Sequence, residues 1–154
     1  VIHCFKYKEK QQLAAPLGQL LQRAFGRYWG DERVDAILPV PLHGRRLRSR
    51  GFNQSELLVR AWKSGPAGAQ APPLVAGVLR RVRATASQAG LGRREREVNI
   101  RGAFAVRRPE TIAGRHLLLV DDVVTTGATA AEAARVLLKS GAARVDVLAL
   151  ARVI

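Results

Sequence analysis

The chain has 154 residues, 47% of them hydrophobic, and 26 basic against 12 acidic side chains leave a net charge of +14. That length argues for a single domain over residues 1–154 with a real core, and no apolar run approaches the ~20 residues of a membrane helix or forms a secretory h-region. The one cysteine, Cys4, excludes an intrachain disulfide and a multi-cysteine zinc site within this chain, so a reducing, cytoplasmic setting is expected.

Residues 1–8 read as a short strand or a lead-in turn. From Gln11 to Trp29, Leu13, Leu17, Leu20, Leu21, Ala24, Phe25 and Tyr28 recur at helical spacing, with Pro16 near the start, where a helix tolerates it. Val34 to Val40 predicts a buried strand, broken by Pro39 and Pro41. A basic loop is expected over 41–52. Asn53-Gln54-Ser55-Glu56 has the cap-x-x-Glu form of a helix start, which Leu57, Leu58 and Ala61 continue. Residues 64–73 are a connection rich in Pro, Gly and Ala, and Val75 to Val82 predicts a strand. Ala84 to Arg101 is polar, basic and aperiodic, so a long loop is expected.

The last third is more regular. Ala103 to Val106 predicts a short strand, and Pro109 to Arg115 a turn. His116 to Val120 predicts a strand buried on both faces. Thr125 to Thr129 is a small-residue loop, and Ala128 to Ser140 a helix closed by Gly141. Val145 to Leu150 predicts a further buried strand. Strand, crossover helix and strand make a βαβ unit, so the fold class is α/β with a mostly parallel sheet.

The charge is mostly arginine, 21 of the 26 bases. Residues 45–60 carry a net +4 and residues 80–101 a net +5. Such a balance points to polyanionic partners: phosphorylated metabolites, pyrophosphate or nucleic acid.

The informative string is Leu117 to Thr129, LLLVDDVVTTGAT. Four apolar residues place Asp121 and Asp122 at the carboxyl end of a buried strand, where open α/β sheets bind ligands. Adjacent carboxylates there need hydrogen-bond donors or a cation, and sugar hydroxyls and Mg²⁺ suit them. Thr125, Thr126, Gly127, Ala128 and Thr129 add hydroxyls and close backbone N–H groups at a helix start, an anion cradle sized for one phosphate. A phosphorylated ribose fits both halves. No G-x-x-x-x-G-K-[ST] or G-x-G-x-x-G occurs, which removes Walker-type NTPases and the dinucleotide fingerprint. A phospho-acceptor receiver would place its acidic pair near the first strand, without the threonine loop.

Asp121 to Thr129 resembles the signature of type I phosphoribosyltransferases, which bind 5-phosphoribosyl 1-pyrophosphate (PRPP) with Mg²⁺. Pro39-Val40-Pro41-Leu42, Arg50-Gly51-Phe52-Asn53-Gln54, Leu91, Phe104 and the pair Lys6-Tyr7 resemble the ComF branch, the competence proteins, over nearly the whole chain. The resemblance implies a parallel five-stranded twisted sheet flanked by helices, with a small hood and a mobile hairpin loop. It implies that Asp121 and Asp122 hold the ribose hydroxyls and act in catalysis with Arg96. It implies that Thr125, Thr126, Gly127, Ala128 and Thr129 hold the 5′-phosphate. Pro41, Leu42, Arg45 and Arg46 would bind pyrophosphate, and Arg81, Thr85, Gln88 and Asn99 would belong to the mobile loop. No protein ligand is assigned to Mg²⁺ directly; it would be held through PRPP, with Asp121 and Asp122 beside it. The family's cysteine-rich zinc module has no counterpart in these 154 residues.

The resemblance implies a phosphoribosyltransferase in which a nitrogen nucleophile displaces pyrophosphate from ribose C1, with PRPP and an unidentified nitrogenous acceptor as partners. Its competence branch implies a part in DNA uptake and transformation, alongside other competence proteins. The alternatives are a non-enzymatic single-stranded-DNA-binding competence factor and a PRPP-dependent regulator. His43 is expected at the surface, and His3 and His116 in structural roles. Trp29 and Trp62 are expected to pack.

Overall fold

A computed structural model describes residues 13–65, 68–85 and 92–153. The segment 1–8, Lys6-Tyr7, Gln88 and Leu91 lie outside them.

Helix α1 (Ala14–Trp29) leads into strand β1 (Ala36–Pro39), then helices α2 (Gly44–Arg50) and α3 (Gln54–Lys63). A short strand β2 (Leu79–Arg81) precedes helix α4 (Arg93–Ile100) and strand β3 (Phe104–Val106). Strand β4 (His116–Val124), helix α5 (Ala128–Lys139) and strand β5 (Arg144–Arg152) follow as the expected βαβ unit, with β4 and β5 parallel. The main sheet has the order β1-β4-β5, all parallel, while β2 and β3 form a separate antiparallel pair, a small hood. The α/β class with a parallel sheet flanked by helices is therefore as expected.

Alternation along β4 builds two cores. Leu117 and Leu119 face α5, Ile100, Ile112 and the hood residues Val78, Leu79 and Phe104. Leu118 and Val120 face α1 and α3, where Leu17, Leu21, Leu58 and Trp62 are buried. Both faces of a central parallel strand are covered, which explains its unbroken apolar run. Helices α1 and α3 touch closely at Gly18, where a Cβ would stand 2.7 Å from the backbone nitrogen of Trp62.

Several expectations need correction. The basic stretch 41–52 contains α2 rather than only loop. It buries no residue, so hydrophobic periodicity could not reveal it. Its ends hold it instead: His43 Nδ1 accepts the Arg45 N–H at 3.3 Å, and Gly51 at φ +81° donates its N–H to Leu47 O at 2.7 Å. The stretch 84–101 likewise ends in α4, opened by the Gly92 N–H donating to Glu95 Oε2 at 2.7 Å. The predicted strand Val75 to Val82 shortens to β2. Pro72 and Pro73 lie before it and Gly77 turns with φ +80°, so only Leu74 bridges Ile37 of β1. Among the described residues the parallel sheet thus pairs three strands plus that bridge, against the five the resemblance implies. Strand β4 runs four residues further than predicted because Asp121, Val123 and Val124 still pair with β5.

His116 and Trp29 serve the opposite end of the sheet. The ring Nε2 of His116 and the indole N–H of Trp29 both meet Asp146 Oδ2, at 2.9 and 2.8 Å. Glu32 lies near enough to His116 and Asp146 to suggest a metal cluster, but Arg144 already pairs with both carboxylates. The group is a structural network.

Candidate functional site

β1 ends its pairing with β4 at Pro39↔Val120, while β4 continues beside β5. One flank of β4 is therefore free from Asp121 onward, and the chain after β1 turns away through Pro41 into α2. That divergence opens a cavity of about 610 Å³ at the carboxyl edge of the sheet.

The floor is acidic. Asp121 is buried, and its Oδ1 accepts from Ser55 Oγ–H at 3.2 Å and from the Asp122 N–H at 2.9 Å. The Val123 N–H donates to Asp122 Oδ1 at 2.9 Å. Burial, and then the charge of Asp122, push the Asp121 carboxyl up from 3.8 to about 7. The pair thus holds less than two full negative charges near neutrality.

One wall is the start of α5. Thr125, Gly127, Ala128 and Thr129 line the cavity, joined by Ala130. Gly127 adopts φ +82° and, as the N-cap, supplies no side-chain hydrogen bond, so the start of α5 meets the cavity wall with its backbone. Thr126 does not line the cavity. Its Oγ1 lies 3.4 Å from the Ala128 nitrogen instead.

The opposite walls are basic. Arg46 and Arg50, one turn apart on α2, line the cavity with Pro41, Leu42 and Ser49. Arg45 does not line it. Arg96 of α4 reaches across and donates from Nη1 to Thr125 Oγ1 at 2.9 Å. Arg81 also lines the cavity, but from strand β2 rather than from a loop. Burial, with Arg46 nearby, lowers its pKa. Arg81 donates to Thr85 Oγ1, and Thr85 itself does not line the cavity. Asn99 lies on α4, where its backbone carbonyl accepts from Arg83 at 2.8 Å.

Sequence reasoning missed Gln54, Ser55 and Ser49 as cavity residues. Asn53 gave the available signal. It caps α3 through Oδ1 and donates from Nδ2 to Val40 O at 3.0 Å, which ties the helix start to the strand end and turns Gln54 and Ser55 inward. Gln54 Nε2 and Arg81 Nε are buried without a hydrogen-bond partner.

The fold and this cavity define an α/β domain in which a helix start and arginines face a pair of carboxylates at the carboxyl edge of the sheet. The chain belongs to the phosphoribosyltransferase domain family, whose model matches residues 60–153. It is 40% identical over 158 residues to DNA utilization protein YhgH of Escherichia coli (strain K12), covering 99% of this chain and 66% of that protein. Competence protein F of Haemophilus influenzae is 37% identical over 160 residues, with the same two shares, 99% and 66%. The chain therefore spans about two thirds of the length of these relatives. Among solved structures, the allosteric regulatory enzyme of purine biosynthesis matches with a TM-score of 0.51 at 17% identity, over 87% of this chain and 25% of that one. An HPRT carrying alanine at an invariant aspartic acid matches with a TM-score of 0.51 at 12% identity, over 93% and 78%. These two likenesses concern the fold alone.

Proposed function

We propose that this domain binds PRPP and transfers its phosphoribosyl group to a nitrogen acceptor. The observation that carries the reading is one cavity in which an acidic pair, the glycine-opened start of α5 and two arginines of α2 stand opposite each other. Asp121 and Asp122 accept hydrogen bonds from the ribose 2′- and 3′-hydroxyls. The N–H groups of residues 127–129 and the Thr125 and Thr129 hydroxyls take the 5′-phosphate, and Arg96 lies over it. Arg46 and Arg50 neutralise the leaving pyrophosphate; Arg45 is not needed for it.

No covalent nucleophile is required. The chain binds the two phosphate ends, orients C1 and surrounds the departing charge with fixed donors. The hard oxygens of Asp121 and Asp122 fit Mg²⁺, which they would hold through the ribose hydroxyls; bound, the ion supplies further charge neutralisation on pyrophosphate. A reducing, cytoplasmic setting and a single domain belong to the same reading.

Calorimetry with PRPP and Mg²⁺ tests it. Binding is expected in the wild type, weakened by roughly two to four decades in Asp121→Asn/Asp122→Asn, since two hydrogen bonds to charged acceptors are lost. Equal affinity in both would remove the acids from the site.

A second reading, single-stranded DNA binding, is favoured by the relatives' names and by the exposed Arg45 and Arg48, which lie outside the cavity on the same helix as Arg46 and Arg50. Such binding falls with salt, with a log–log slope of about −0.7 per phosphate neutralised. Arg45→Ala/Arg48→Ala is expected to flatten the slope and spare PRPP binding. An unchanged slope would remove α2 from DNA contact.

A further inference from the structure

Ser55 lies in the first turn of α3, and it is only 3% exposed. A serine there ordinarily gives its hydroxyl to nearby backbone or to water. Neither use applies here. Asn53 Oδ1 already accepts the Ser55 and Glu56 N–H groups, at 3.0 and 3.5 Å, and burial keeps the hydroxyl from solvent. The hydroxyl reaches instead to Asp121 Oδ1, 3.2 Å away and 66 residues further along the chain. It can do so because β1 stops pairing at Pro39, and Asn53 Nδ2, donating to Val40 O at 3.0 Å, brings the start of α3 beside the flank of β4 left open there.

Asp121 Oδ1 therefore accepts twice, from Ser55 and from the Asp122 N–H at 2.9 Å. Asp122 Oδ1 takes the Val123 N–H at 2.9 Å. Among the described residues no further main-chain, hydroxyl or guanidinium donor meets Oδ2 of either acid, and both acids line the cavity. A carboxylate held by nothing turns freely and must be ordered when a ligand arrives, which weakens binding. Two donors on Oδ1 fix the plane of Asp121 beforehand and leave Oδ2 to accept. Burial, and then the charge of Asp122, push this carboxyl up to about 7; the Asp122 N–H and the Ser55 hydroxyl act in the opposite sense and favour the charged acceptor.

We propose that Ser55 is a positioning residue of this site, holding Asp121 so that its Oδ2 accepts a ribose hydroxyl; this rests on the phosphoribosyl-transfer reading of the cavity. Ser55 acts through Asp121 rather than on the ligand. Its contribution therefore belongs to the ribose part of PRPP and is absent from the pyrophosphate part, which Arg46 and Arg50 meet from α2 on another wall.

The test measures binding of PRPP and of inorganic pyrophosphate, each with Mg²⁺, by calorimetry on the wild type, Ser55→Ala and Ser55→Thr. Melting curves accompany each variant. Ser55→Ala removes the donor and adds no bulk. It is expected to weaken PRPP by about tenfold and pyrophosphate by less than about twofold, since the hydrogen bond it removes orders a charged acceptor that pyrophosphate does not touch. Ser55→Thr keeps the hydroxyl and is expected to restore PRPP affinity to within about threefold of the wild type. Should the added methyl unfold Ser55→Thr, the contrast between the two ligands in Ser55→Ala decides alone. Unchanged PRPP affinity in Ser55→Ala overturns the positioning role and leaves the PRPP reading intact. A loss that pyrophosphate shares equally, or that a folded Ser55→Thr does not restore, overturns it as well, because packing alone would then explain the serine. Failure of the wild type to bind PRPP overturns both.

Discussion

Asp121→Asn separates stability from ligand binding at the floor of the cavity. Asparagine is nearly isosteric, and its Oδ1 can still accept from Ser55 Oγ–H and the Asp122 N–H. What disappears is a charge that folding disfavours. Burial and the neighbouring Asp122 raise the carboxyl from 3.8 to about 7. Between those values the folded protein keeps a proton that the unfolded chain has released. This group's contribution to stability is therefore fully present below pH 4, falls as pH rises towards 7, and is flat above it. The complete cost above pH 7 is on the order of 4 kcal/mol, and water in an open cavity reduces it, so a gain of about 2–4 kcal/mol is expected for the variant at pH 8. Little gain is expected at pH 4.

Urea unfolding of the ligand-free protein at pH 4, 6 and 8, at fixed ionic strength, reads this directly. Calorimetry with PRPP and Mg²⁺ at pH 8 should move the other way, with affinity falling by about one to two decades as one charged acceptor is lost. A variant that gains equally at pH 4 and pH 8, or loses stability at pH 8, would refute the assignment of a strained, buried carboxylate.

Gly18→Ala places a methyl 2.7 Å from the Trp62 nitrogen and 3.0 Å from the Leu58 carbonyl. Overpacking of about 1–3 kcal/mol outweighs the better helix propensity, so the urea midpoint should fall; an unchanged midpoint would show that α1 and α3 separate at no cost. Glu132→Ala removes the buried acceptor of the Gly102 N–H, 2.8 Å away, and the partner of Arg135. Loss of about 1–3 kcal/mol and faster hydrogen exchange at the Gly102 amide are expected, and unchanged exchange would mean that α4 is anchored elsewhere.

The order of strand, acids, threonine loop and helix over 116–140 was legible in the chain itself. Its signals are local: four apolar residues in a row, two acids, small residues and a glycine that accepts φ +82°. The flank helix α1 was legible for the same reason, since its apolar spacing records the core it packs against. Helices α2 and α4 were not, because they bury almost nothing and exist through their caps; a pattern of polar residues does not distinguish a capped helix from a loop. Which arginines face the cavity was likewise undecided in the sequence. Arg45 and Arg46 are neighbours in a basic run, and only the turn of α2 sends one inward and leaves the other outside. Gln54 and Ser55 read as ordinary first-turn residues of α3. They became part of the site because β1 stops at Pro39 while β4 runs on to Val124, and Asn53 ties the start of α3 to the gap between them. Ser55 meets Asp121 from 66 residues away in the chain, so only tertiary packing could bring the two together.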